Sequence, residues 1–105
     1  MENNIIEKVN KFEKIIDEAY FDNREINIYY NNDAFQISSI VNPEDIDFYV
    51  DIDLISFDAG KTTIELYLDK ISNIDFQISE EENICTILFY NMVDNHILVL
   101  KITWQ

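Results

Sequence analysis

The order of apolar and polar residues changes period once, and that change divides the chain. In the first segment Ile5, Ile6, Val9, Phe12, Ile15, Ile16, Ala19 and Tyr20 recur at three- and four-residue steps. That spacing places side chains on one broad stripe of an α-helix. Asn4 and Glu7 stand at N-cap and N3 spacing, a variant of the capping box. Glu7 and Lys11 have the favoured i,i+4 order for an ion pair. The pattern predicts an amphipathic helix over residues 1–22, ending between Tyr20 and Asn23.

From Glu25 onward the period is two, as in β-strands. Ile26, Ile28 and Tyr30 share one side, and Asn31-Asn32-Asp33 is a turn signal. Ala34 to Val41 reads as the returning strand, and its change of phase between Ile37 and Ile40 predicts a bulge near Ser38-Ser39. Asn42-Pro43-Glu44-Asp45 is a turn with Pro at its second position. A further turn falls at Asp58-Ala59-Gly60-Lys61. Thr62 to Asp69 fits a strand through Ile64, Leu66 and Leu68, or a helix through Ile64, Tyr67, Leu68 and Ile71. The β-branched start and the preceding turn favour the strand. Ile74, Phe76 and Ile78 alternate, and Glu80 to Asn83 is a charged turn. Ile84 to Met92 is nearly all apolar and reads as a central strand covered on both faces. After Val93-Asp94-Asn95, the stretch His96 to Trp104 turns Leu98, Leu100, Ile102 and Trp104 to one side. Short connections make antiparallel neighbours. The expected fold is α+β: an N-terminal amphipathic helix packed on a curved antiparallel meander sheet of six or seven strands. It forms a single domain over 1–105, with the helix in 1–22 and the sheet in 25–104.

One segment stands apart. Asp45, Asp47, Tyr49, Asp51 and Asp53 alternate with Ile46, Phe48, Val50, Ile52 and Leu54. As a single strand it would bury the second set and present the first as a row of four carboxylates and a phenol. The surrounding stretch from Glu25 to Gly60 holds eight acids and no Lys or Arg.

Composition adds three constraints. With 105 residues, 48% apolar and 19 Ile, the chain can build a core without metal or disulfide. One Gly and one Pro against 12 Asn mean that turns must rely on Asn and Asp; the abundance of Ile and Asn also fits an AT-rich genome, as in a low-GC bacterium or its phage. The net charge of −14 lies well outside the range of about 2–8 in magnitude usual for a small domain. It repels nucleic-acid backbones and anionic membranes and attracts basic proteins. Direct nucleic-acid binding is therefore not expected, and Arg24 is the one guanidinium in the chain. The lone Cys85, the lack of a signal-like start and the lack of a long apolar run predict a cytoplasmic protein with no membrane association.

Catalytic and cofactor signatures are weak. Gly60-Lys61-Thr62 resembles the end of a phosphate loop, but Ile55 stands where that loop needs its first Gly. The Asp45–Asp53 carboxylates lack the sharp Gly turn of a Ca²⁺ loop, with Val50 at the sixth position, and on a straight strand they diverge. Cys85 and His96 could form a dyad only if their strands were neighbours, and Cys85 sits in an apolar, acidic setting that suits a buried structural thiol. His96 reads as a strand-end surface residue. No enzyme, metal or cofactor is expected.

The acidic row admits two readings, a solvated sheet face or a face that binds a basic partner. Its carboxylate spacing is of the order of the phosphate spacing along a nucleic-acid strand, and Tyr49 offers a ring in the place of a base. In size, acidity and lack of a catalytic motif the chain resembles the phage-encoded nucleic-acid mimics, anti-CRISPR proteins among them. That likeness implies a small inhibitor that occludes a basic nucleic-acid-binding surface. Its contacts would be Asp45, Asp47, Tyr49, Asp51 and Asp53, with Glu44 and Asp58 at the rim. An immunity protein that neutralises a cognate toxin or nuclease would use the same electrostatics. A third reading is a small structural or assembly domain that binds a sister chain, so a homo-oligomer stays open.

Overall fold

The computed structural model describes residues 3–31, 36–93 and 95–105. The predicted positions Asn32, Asp33, Ala34, Phe35 and Asp94 lie outside the described residues. So do the side chains of Asn3, Asn4, Val50 and His96, and with them the capping role of Asn4 and the surface role of His96.

Helix α1 runs from Asn3 to Phe21. Its stripe buries Ile5, Phe12, Ile16 and Ala19, with Val9 and Ile15 packed beside them. The C-terminus is closed by Asn23, at φ 52. The Arg24 N–H donates to the Ala19 carbonyl at 2.9 Å and the Asn23 N–H to that of Tyr20 at 3.5 Å. This is the Schellman arrangement, with Asn in the left-handed place Gly usually takes. Lys11 does not pair with Glu7; its ammonium lies 4.6 Å from the centre of the Phe76 ring.

Eight strands follow among the described residues: β1 (Glu25–Asn31), β2 (Gln36–Val41), β3 (Ile46–Tyr49), β4 (Leu54–Ala59), β5 (Thr62–Tyr67), β6 (Ile71–Ser79), β7 (Ile84–Asn91) and β8 (His96–Thr103). They form two antiparallel sheets, β2-β1-β8-β7-β6 and β3-β4-β5. The α+β class and the N-terminal helix on antiparallel sheet agree with the sequence. The strand count is higher and the meander is interrupted, because β1 pairs with β8 from the far end of the chain, Ile28 opposite Leu100.

Phe12 joins the two sheets. Its ring lies 5.6 Å from Phe48 on β3, 6.3 Å from Phe57 on β4 and 5.2 Å from Phe89 on β7. One core thus takes the inner faces of both sheets: Ile26, Ile28, Ile74, Ile87, Leu98, Leu100 and Ile102 from the larger, Ile46, Ile55, Phe57, Ile64 and Leu66 from the smaller.

Local differences from the sequence pattern have physical causes. No bulge occurs at Ser38-Ser39, and the β1–β2 register is unbroken from Ile26–Val41 to Asn31–Gln36. The apparent phase change arises because Ile40 points outward and is 60% exposed. Strand β7 is central but covered on one face only: Cys85, Ile87 and Phe89 are buried, while Ile84, Thr86 and Leu88 on the other face are half-buried. Thr62–Tyr67 is a strand, followed by a short 3-10 helix, Leu68–Lys70. The scarcity of Gly is met as expected. Asn23, Asp53 and Asn83 adopt positive φ, and Gly60 is left for the first position of the two-residue β4–β5 hairpin loop, at φ 74. Among the described residues no helix is long and apolar enough to cross a membrane.

Candidate functional site

The predicted ten-residue acidic strand is broken: only Ile46–Tyr49 and Leu54 lie in strands, and the rest lies in two turns. Pro43–Asp45 forms a 3-10 turn, β3 covers Ile46–Tyr49, a second 3-10 turn covers Val50–Ile52, and Asp53 reverses the chain at φ 50 into β4. The chain leaves the strand after four residues. The turn is pinned from outside, since the Leu68 N–H donates to the Asp53 carbonyl at 2.8 Å. Ile52 consequently does not reach the core and is 59% exposed. Ile46 is buried and Phe48 half-buried, as the alternation requires; Leu54 is buried too, but it stands opposite Tyr49 and Tyr67, out of phase with the predicted row.

The outer face of the three-stranded sheet can be read from its register. Asp47 stands opposite Ser56, and Ser56 opposite Glu65, which forms a middle row. Its two carboxylates are separated by two strand spacings, roughly 10 Å between backbones. At one end Tyr49 stands opposite Leu54 and Leu54 opposite Tyr67, beside the turn that carries Asp51 and Asp53. At the other end Asp58 faces Thr63, near the turn that carries Glu44 and Asp45. Asp47, Tyr49, Asp51, Asp53, Asp58 and Glu44 are all exposed; Asp45 is half-buried and accepts a 3.4 Å hydrogen bond from the Asn42 side chain. The seven predicted residues therefore share one sheet and its two ends, not one line.

Glu65 and Tyr67 belong to this face, and sequence reasoning passed over them. Their signal was present: in Thr62–Tyr67 the residues between Ile64 and Leu66, and after Leu66, must point outward once the segment is a strand. The Tyr67 hydroxyl donates to a Glu65 carboxylate oxygen at 3.2 Å. That bond, and the negative charge beside it, hold the phenol's pKa above its ordinary value. The Lys70 ammonium lies 5.7 Å from the Tyr67 ring centre.

Charge balance separates this region from the helix. Residues 43–70 carry eight acids against Lys61 and Lys70, whereas residues 3–21 carry four acids against three lysines. Both ion pairs among the described residues belong to Arg24, with Asp22 at 3.2 Å and Glu18 at 3.8 Å. Elsewhere the cations are engaged away from the acidic face. Lys8 donates to Asn73, Arg24 stacks 4.4 Å over Trp104, and Lys101 lies 5.5 Å over Tyr29.

The other candidate chemistry is dispersed. Cys85 is buried and stands opposite Ile102, while His96 stands opposite Tyr90, five positions along β7. Five residues of strand span about 17 Å, so no dyad forms. Burial pushes the Cys85 thiol's pKa up, the opposite of an activated nucleophile. Gly60-Lys61 is the β4–β5 hairpin loop. Among the described residues no group of three or more His, Cys, Asp or Glu could hold a metal ion.

By class, this is an α+β domain with one helix set against two antiparallel sheets. No family model and no curated protein matches the chain. Among solved structures it is similar to one described as "Crystal structure of ChuX", with a TM-score of 0.57 and 9% identity over 88% of this chain. The match covers 57% of the ChuX chain, so this chain spans little more than half its length. At that identity the likeness is one of fold.

Proposed function

We propose that this chain is a small acidic inhibitor that acts in the cytoplasm by occupying a basic, nucleic-acid-binding surface of a partner protein, as phage anti-defence proteins of the nucleic-acid-mimic kind do. The observation that carries the reading is the outer face of the three-stranded sheet. Asp47, Asp58 and Glu65 lie across it and Asp51 and Asp53 close one end, none of them in an ion pair among the described residues. Like charges gathered on one face repel one another, and a basic partner relieves that repulsion. Tyr49 and Tyr67 add rings beside the carboxylates, which suit Arg and Lys contacts. Association of this kind is steered by charge and weakens with salt.

The test uses a variant with Asn at Asp47, Asp51, Asp53 and Asp58 and Gln at Glu65. The intact chain is expected to capture a basic nucleic-acid-binding protein from its host at low salt, with added nucleic acid competing for it. The variant is expected to melt at the same or a higher temperature and to lose at least about tenfold in affinity, the equivalent of about 1.4 kcal/mol. Affinity that survives all five changes would overturn the reading.

A further inference from the structure

Beside the acidic face, and sharing Tyr49 and Asp53 with it, a half-open cleft of about 210 Å³ lies between helix α1 and the start of the small sheet. Its walls are apolar: Val9 from the helix, Phe48 from β3, Leu54 and Ile55 from β4, and Leu68 from the 3-10 turn after β5. An apolar cavity of about 150 Å³ accepts a benzene-sized molecule, so this one has room for a single ring and a short chain. The lining also includes two carboxylates, Glu13 of α1 and Asp53 of the β3–β4 turn, with the Asn10 amide and the Tyr49 ring. Among the described residues no Lys, Arg or His lines it.

The placement of Asp53 is built into the fold. Its backbone is left-handed, and its carbonyl is held by the N–H of Leu68, itself a wall residue. The same hydrogen bond therefore sets one acid and one wall of the cleft. Glu13 approaches from another element, the helix. An apolar floor with acids from two separate elements, in a chain of net charge −14, complements one chemistry. The apolar body of a ligand displaces loosely held water, the carboxylates meet its positive end, and the Tyr49 ring adds a cation–π contact.

We propose that this cleft binds a small organic cation, an ammonium or guanidinium group on an apolar body about the size of one aromatic ring. The cation's charge is stabilised by Glu13 and Asp53, and its body fills the space between Val9, Phe48, Leu54, Ile55 and Leu68.

The experiment is an NMR titration of the whole chain with phenethylammonium, followed through the methyl signals of Val9, Leu54, Ile55 and Leu68. Phenylacetate and phenethyl alcohol serve as anionic and neutral matches. The ammonium is expected to shift those methyls and to bind at least about tenfold tighter than either control. A Glu13→Gln, Asp53→Asn double variant keeps the shape of the site, because Asn tolerates the left-handed backbone as Asp does. It is expected to lose about tenfold in affinity for the ammonium. A second variant, Val9→Phe, fills the cleft and should abolish the shifts; its fold is checked from the signals of the five-stranded sheet. The proposal is overturned if either control binds as tightly as the ammonium, if the double variant binds it unchanged, or if the shifts fall elsewhere or are absent. Asp53 belongs to both sites and Glu13 to the cleft alone, so loss of ammonium binding in the single variant Glu13→Gln, with partner binding intact, separates the two.

Discussion

On the five-stranded sheet, positive charge is absorbed by rings: Lys101 lies over Tyr29, and Arg24 is held over Trp104 while pairing with Asp22 and Glu18. On the three-stranded sheet, negative charge is left in solvent, with Asp47 and Glu65 across one row and Asp51 and Asp53 at its end. Both sheets give their inner faces to the same core around Phe12. They differ in what the core supports. The larger sheet has strands of up to nine residues with mixed, half-buried outer residues such as Val99 and Leu88. The smaller has strands of four to six residues interrupted by 3-10 turns. The exposed acids are thus gathered on the sheet with the shorter strands.

The comparison rests first on a shared core. Phe12→Ala should have the largest effect, a loss of about 3–5 kcal/mol in denaturant unfolding. Because Phe12 is where the helix meets both sheets, amide exchange should accelerate more in β3–β5 than in β6–β8. Equal acceleration in both would mean that the two sheets open as one unit.

A smaller effect probes the turns. Asp53 closes the small sheet's first hairpin and Asn83 the β6–β7 hairpin of the large sheet, both at positive φ. Alanine at either place should cost about 1 kcal/mol, because its Cβ disfavours the left-handed region and its side chain offers no local hydrogen bond. Glycine at Asn83 should leave stability unchanged or slightly higher. If Asp53→Ala shows an early loss of β3–β5 signals in a thermal melt, while Asn83→Ala melts in one step, the small sheet is the less cooperative part.

The smallest effects are in pH dependence, and they distinguish the two sheets by cause. The Tyr67 phenol is raised by its bond to Glu65 and by that residue's charge, on an open face; the Cys85 thiol is raised mainly by burial in the large sheet. In both cases the folded chain keeps its proton to higher pH than the unfolded chain. The stabilisation is therefore complete below each group's ordinary pKa and is lost as pH rises through the raised one. Glu65→Gln should lower the Tyr67 titration midpoint, seen in its ultraviolet absorbance, and added salt should weaken the difference between the two proteins. Cys85→Ala should flatten the alkaline fall in stability with little dependence on salt.

Much of the fold is legible in the sequence. The period-3.6 stripe located α1 to within a residue or two, and the alternations in β1 and β8 named their buried sides; in β6 Ile74 is buried and Phe76 half-buried, but Ile78 is 54% exposed. The role of Asn and Asp in place of Gly followed from composition. The candidate face was half legible. Asp45–Asp53 drew attention by alternation, but alternation alone cannot show where a strand ends, since a 3-10 turn preserves the order of apolar and polar residues. Glu65 and Tyr67 were hidden because one carboxylate and one phenol on a short ambiguous segment carry no signal until their neighbours across β4 are known.

The sequence by itself determined which side of each element is apolar, because burial of side chains at a given period depends on local order alone. It also determined the excess of negative charge and its absence of partners within the stretch from Glu25 to Gly60. Only the tertiary structure decided that β1 pairs with β8, that the acidic row folds back on itself at Asp53, and that Glu65 and Tyr67 join Asp47 and Tyr49 on one surface. Those outcomes depend on which strands lie side by side. That choice is made by the fit of whole faces around Phe12, a contact between residues far apart in the chain that no local pattern encodes.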